Sequence, residues 1–84
     1  MSWFVYMLRC NDLSLYTGIT PDPVLRTQTH NLSKGSKYVA SRLPAKLVYL
    51  EPCKDKSHAS KREHAIKKLS KAKKEQLINI EFKS

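Results

Sequence analysis

Five side chains in this sequence have the types and spacing to act together: Tyr6 and Tyr16, ten positions apart, Arg26 and His30, four apart, and Glu63 further on. Two phenols can converge on one small ligand or water, a guanidinium grips phosphate oxygens in a bidentate way, and an imidazole moves a proton near neutral pH. A carboxylate beside them can hold a divalent cation, since Mg²⁺ takes one or two carboxylates and completes its shell with water and phosphate oxygen. That set suits a phosphate. Each member also has an ordinary reading. The tyrosines can pack a half-buried sheet face with their hydroxyls in solvent, Arg26 can be a surface charge, and His30 a helix-face histidine. Glu63 fits a capping box from Ser60, or an ion pair with Lys67 one turn on. The elements that carry the residues decide between the two.

Trp3–Arg9 and Leu15–Thr20 have strand composition and flank Asn11, Asp12 and Leu13, which reads as a hairpin. A three-residue loop pairs Cys10 with Ser14, Leu8 with Tyr16 and Tyr6 with Gly18. The two tyrosines then share a sheet face as diagonal neighbours, their Cβ atoms roughly 7–8 Å apart, and Gly18 leaves room opposite Tyr6. Leu13 occupies the place in such a loop that favours glycine, and a left-handed leucine costs roughly 1–2 kcal/mol. Asp22 is a good N-cap and Pro23 a good first residue for a helix over 23–32, which sets Arg26 and His30 on one face. "SKGSKYVASRLP" reads as a loop with a short helix ended by Pro44, and "AKLVYLEP" as a third strand stopped by Pro52. From Ser57 onward the spacing predicts two helices. The first turns Ala59, Ile66 and Leu69 inward, and the second, capped by Ser70, holds Ala72, Leu77 and Ile80. Glu63 falls roughly 70° from the centre of the first apolar stripe, at its edge, with Lys61, His64 and Lys68 on the far side.

With 84 residues and 40% hydrophobic content, one modest core is expected, a single domain over 1–80 with a short tail at 81–84. Sixteen Lys and Arg against seven Asp and Glu give a net charge of +9, which points to a polyanionic partner. Nine of those sixteen bases lie between residues 54 and 74, opposed only by Asp55 and Glu63. Lys37, Tyr38 and Arg42 in the middle loop, with Lys67, Lys68, Lys71, Lys73 and Lys74 later, are the candidate nucleic-acid contacts. Together they imply salt-dependent backbone affinity with little sequence information, and Tyr38 either stacks on a base or packs. No secretory signal and no run of membrane-spanning length is read, so a cytoplasmic protein with no membrane partner is expected. Cys10 and Cys53 are expected as free thiols, and a zinc site from His30, His58 and His64 has no support from spacing.

"FVYML", then "LYTGI", then "R…HN" and "KRE…IKKL" resemble, over almost the whole chain, the GIY-YIG nuclease domain, and most of all its small stand-alone bacterial members. The resemblance implies an α+β fold, a three-stranded antiparallel sheet flanked by helices. It also implies cleavage of DNA phosphodiesters with one divalent metal, Mg²⁺ or Mn²⁺, in repair or recombination and by structure instead of sequence. Tyr6 takes the place of the tyrosine in the first motif and Tyr16 that of the second. Arg26 is the helix arginine, His30 the position after it, and Glu63 the metal ligand. In that scheme Tyr16 accepts the proton of the attacking water, Tyr6 orients it, Arg26 stabilises the transition state, and His30 assists Tyr16 or protonates the leaving group. "VYM" and "YTG" depart from the motif letters, keeping the tyrosines and Gly18, and Asn79 is an open candidate for a late asparagine of the family. The rival reading is a non-catalytic basic nucleic-acid-binding module of the same fold. RNA is the alternative substrate that the basic surface permits. A protein partner for targeting is compatible with so small a domain, as is a monomer or weak dimer.

Overall fold

β1 (Trp3–Arg9) buries Val5, Tyr6, Met7 and Leu8 in succession, a run expected of a strand covered on both faces. The computed structural model, which describes residues 2–32 and 34–81, places it accordingly at the centre of a three-stranded sheet. β2 (Leu15–Thr20) and β3 (Lys46–Cys53) flank it, in the order β2-β1-β3, both antiparallel to it. Alternation along β1 splits the core in two. Val5 and Met7 join Tyr49, Cys53, Ala59, Ile66 and Ile78 on one face, and Tyr6 and Leu8 join Cys10, Val39 and Ala45 on the other. α1 (Pro23–Asn31) and α2 (Lys37–Ala40) contribute to the Tyr6 face, while α3 (Lys56–Lys67) and α4 (Lys71–Glu81) cover the Val5 face. This is the expected α+β arrangement of a three-stranded antiparallel sheet with helices.

The hairpin has the register its loop length requires, with Tyr6 opposite Gly18 and Leu8 opposite Tyr16. The Cys10 N–H donates to the Ser14 carbonyl at 2.9 Å, and Leu13 adopts the left-handed φ of 69° that the loop demands. Asp22 caps α1 by accepting from the Leu25 N–H at 3.0 Å, and Pro23 opens the helix. At the other end Asn31 acts as a clamp: its amide donates to the Ala45 carbonyl at 3.0 Å and its Oδ1 accepts from the Ala45 N–H at 2.9 Å. Those two bonds tie the end of α1, and with it His30, to the start of β3.

Four expectations are corrected. β3 continues through Pro52 to Cys53, with Pro52 opposite Phe4, because an edge strand has one side on which a missing N–H breaks no ladder bond. α3 starts at Lys56 under an Asp55 cap that accepts from the His58 N–H at 2.8 Å. The helix thus begins one residue before the expected Ser57, and Ser60, already inside it, forms no capping box with Glu63. α4 keeps its Ser70 cap, which accepts from the Lys73 N–H at 3.2 Å. It turns Leu77 and Ile78 inward, however, leaving Ala72 exposed, while the side chain of Ile80 lies outside the described residues. Lastly, α4 extends to Glu81, one residue into the expected tail, of which 82–84 lie outside the described residues.

Two bidentate ion pairs fix the second layer. Arg9 grips Glu75 of α4 at 2.6 and 2.7 Å, and Arg62 of α3 grips Glu51 of β3 at 2.7 and 3.0 Å, where the Tyr49 hydroxyl also donates to Glu51. Burial alone would raise the Glu51 carboxyl, but the Arg62 and Tyr49 hydrogen bonds outweigh it and hold it below its ordinary value. Both cysteines are free and buried, in different halves of the core.

Candidate active site

The hairpin face that carries Tyr6 and Tyr16 meets the last turn of α1, and there three rings converge. Tyr6 and Tyr16 have centroids 6.3 Å apart, Tyr6 and His30 6.1 Å, and Tyr16 and His30 5.3 Å in an edge-on arrangement. The Tyr6 hydroxyl and His30 Nε2 are hydrogen-bonded at 3.0 Å within the core, both residues having at most 1% exposure. His30 Nδ1, on the other side of the ring, accepts a long 3.4 Å bond from the Ser36 N–H. Burial drives the imidazole below its ordinary pKa of 6.5, and the nearby Arg26 charge drives it further. His30 is thus a neutral ring with both nitrogens occupied, behind Tyr6 and away from solvent. Burial also raises the Tyr6 phenol, an effect that hydrogen bonding from Arg26 partly offsets. Arg26 thus acts electrostatically on both groups.

Tyr16 is only half-buried, and it opens onto a hollow of about 240 Å³ lined by Leu15, Tyr16, Thr17, Tyr38, Lys67 and Lys74. That hollow wraps the edge of β2, joining Tyr16 on one face of the sheet to Lys67 at the end of α3 on the other. The Thr17 hydroxyl in its wall is buried and has no hydrogen-bond partner among the described residues. A second hollow of about 270 Å³ shares Leu15, Tyr38 and Lys74 with the first and adds Asp12, Ser14 and Lys71. The two form one trough toward the hairpin turn. Tyr38, 40% exposed, stacks on Tyr16 at 6.1 Å with the planes 28° apart. Its ring is also covered by the Arg42 guanidinium, 3.9 Å from the centroid. Arg42 in turn donates to Asp12 at 3.0 Å and to the Tyr38 carbonyl at 2.9 Å. Tyr38 and Arg42 are therefore engaged in a stack that backs Tyr16, whereas Lys37, Lys67, Lys68 and Lys71 project into solvent.

Glu63 sits on α3 with its side chain 23% exposed and close enough for its charge to raise the Tyr6 phenol. Its partner is Lys67 at 3.3 Å, an i,i+4 pair whose lysine is 53% exposed. Such a pair is worth only a few tenths of a kcal/mol, roughly 0.3–0.5, so it gives way easily to a stronger cation. Among the described residues no three His, Cys, Asp or Glu cluster as metal ligands. The donor set is one carboxylate, which fits a hard cation completed by water and substrate oxygens and does not fit zinc. Asn79 is exposed on α4.

Sequence reasoning passed over two contributors. Gly35 lies so close to His30 that a Cβ there would be 2.3 Å from Nδ1, and Asn31 supplies the clamp described above. The "HN" pair and a glycine five residues on were the available signals.

A small three-stranded α+β domain with paired tyrosines, an arginine and a glutamate around one sheet edge defines a nuclease-like class. The chain belongs to the GIY-YIG catalytic domain family, which matches residues 2–76. It is similar to the UPF0213 protein DP2720 of Desulfotalea psychrophila, with 51% identity over 83 residues, covering 98% of this chain and 76% of that protein. It is also similar to the UPF0213 protein SH2523 of Staphylococcus haemolyticus, with 45% identity over 75 residues, covering 89% and 92%. Among solved structures it resembles the UPF0213 protein BH0048 of Bacillus halodurans, with a TM-score of 0.65 and 40% identity, covering 99% of this chain and 88% of that one. The protein EF2693 of E. faecalis gives a TM-score of 0.64 and 37% identity, covering 95% and 85%. No helix among the described residues is long and apolar enough to cross a membrane.

Proposed function

We propose that this domain is a metal-dependent endonuclease hydrolysing DNA phosphodiesters, selecting structure more than sequence, in repair or recombination. The observation that carries the reading is the convergence of Tyr6, Tyr16 and His30, with the Arg26 charge acting on Tyr6 and Tyr16 alone of the three rings opening onto a lysine-lined hollow. Tyr16, acting as the phenolate once its own proton has passed to solvent through the hollow, takes the proton of the attacking water, and Tyr6, protonated and held from behind by His30, orients that water or the Tyr16 oxygen. Arg26 stabilises the extra negative charge of the five-coordinate phosphorus transition state. Because His30 is buried and both its nitrogens are used, it serves by holding Tyr6, and we assign it no proton transfer to the leaving group. Glu63 would hold Mg²⁺ or Mn²⁺, which when bound supplies charge neutralisation at the leaving oxygen. Lys67, Lys71 and Lys74 line the trough and, with the exposed Lys37 and Lys68, serve as backbone contacts.

The test is nicking of supercoiled plasmid in Mg²⁺ or Mn²⁺ against EDTA. Wild type should nick only with metal, and Tyr16→Phe and Glu63→Ala should each lower the rate roughly 100-fold or more with the fold intact. Nicking untouched by either substitution overturns the mechanism. The Glu63–Lys67 ion pair favours one other reading, a non-catalytic nucleic-acid-binding module of this fold. Salt-sensitive binding without cleavage of duplex, branched or damaged DNA, or of RNA, would establish that instead.

A further inference from the structure

The loop between α1 and α2 presses on the imidazole from the side away from the tyrosines. Nδ1 of His30 faces the Ser36 N–H at 3.4 Å, and the Gly35 backbone is packed so close that a methyl in place of its hydrogen would meet Nδ1 at 2.3 Å. No space remains there for a water to mediate. A proton on Nδ1 would point donor against donor at the Ser36 amide, so that nitrogen is left as an acceptor and the neutral ring carries its hydrogen on Nε2. Nε2 faces the Tyr6 hydroxyl at 3.0 Å, and with the hydrogen on nitrogen, Tyr6 must be the acceptor of that bond. Arg26, whose charge also acts on the Tyr6 phenol, is a pure donor as well. The hydroxyl's own hydrogen is then left to point away from His30, on the side of the ring where Tyr16 packs.

We propose that Gly35 and the Ser36 amide are positioning residues that lock His30 as its Nε2–H tautomer, making Tyr6 a hydrogen-bond donor toward the substrate side of the site. The inference rests on the nuclease reading for its consequence but not for its test. Gly35 is needed for the close approach and Ser36 for its backbone donor, while Gly18 gives the Tyr6 end of the pair its clearance, a Cβ there meeting the hydroxyl at 2.6 Å.

Long-range ¹H–¹⁵N correlation spectra of the ¹⁵N-labelled protein assign the tautomer of His30 directly, with no substrate present. Wild type should show the Nε2–H pattern. Tyr6→Phe, a near-isosteric change, should keep it, because the Ser36 amide and not the phenol sets it. Ser36→Ala, which loses the α2 cap but keeps the backbone donor, should retain Nε2–H, whereas a chain made by chemical ligation with an ester in place of the Gly35–Ser36 amide, which removes the N–H without adding bulk against Nδ1, should populate the Nδ1–H form. A wild-type Nδ1–H or doubly protonated ring overturns the proposal, as does a switch to Nδ1–H in Tyr6→Phe or an unchanged pattern in the ester variant. If the ester variant fails to fold, the wild-type and Tyr6→Phe spectra still decide. In the nicking assay the ester variant should turn over roughly tenfold more slowly than Ser36→Ala, and equal turnover would overturn the catalytic consequence while leaving the tautomer result standing. Absence of nicking in wild type would count against the nuclease reading alone.

Discussion

Tyr6 and Tyr16 are the same side chain in two environments, and burial separates their tasks. Tyr6 is sealed under α1 against His30, whereas Tyr16 borders the trough. The sealed histidine also makes the fold sensitive to acid. The folded ring resists a proton that the unfolded chain accepts, so its stabilising effect is complete above the ordinary value of 6.5. That effect is lost as pH falls through 6.5 toward the depressed folded value. Urea unfolding between about pH 7 and 5 should therefore show stability declining, and His30→Gln should flatten the decline. The carboxylates held low by Arg9 and Arg62 act in a more acidic window and leave this one clear. Leu13 offers a second test. At φ 69° and 62% exposed it has backbone strain and little packing to lose. Leu13→Gly should raise stability by about 1 kcal/mol in the same titration.

α1 is the element on which the site depends, since it delivers both Arg26 and His30. It is short, it bears exposed Val24 and Leu25 and is followed by exposed Leu32, and the Asn31 clamp to Ala45 holds its end to the sheet. Asn31→Ala should cost about 2 kcal/mol, for two hydrogen bonds that close a gap between elements, and should speed amide exchange in α1 more than in α3. Local signals in the sequence carried much of this arrangement. The loop length gave the hairpin register and hence the shared face of Tyr6 and Tyr16; Asp22-Pro23 gave the start of α1; Ser70 gave that of α4. Signals that depend on distant neighbours were hidden. Pro52 stays in β3 only because that strand is an edge, Asp55 outcompeted Ser60 as the cap of α3, and Ile78 faces the core in place of Ala72. The Arg42–Tyr38–Tyr16 stack joins segments far apart in sequence and leaves no local pattern, and the approach of Gly35 to His30, though the two are only five residues apart, left no signal beyond the glycine itself. Glu63 at the edge of its helix stripe was readable from angle alone, but its neighbourhood with Tyr6 across the sheet edge was not.

Taken as a body, the protein has one layer that builds the tyrosine cluster and another, α3 and α4, that brings the bases. The trough is where they meet around β2. If about five phosphates are neutralised there, DNA affinity should fall between two and three orders of magnitude from about 50 to 200 mM salt, readable by fluorescence anisotropy of the Glu63→Ala protein. Such steepness would reflect contact with backbone and not with base edges. The chain contains only two glycines, and both touch the Tyr6–His30 pair, one at each end. Replacing glycine is among the first moves in hardening a protein against heat. Here each such replacement would drive a methyl into the buried pair, so a more robust version of this domain has to be sought in its turns and helix surfaces, with the two barest positions in the chain left as they are.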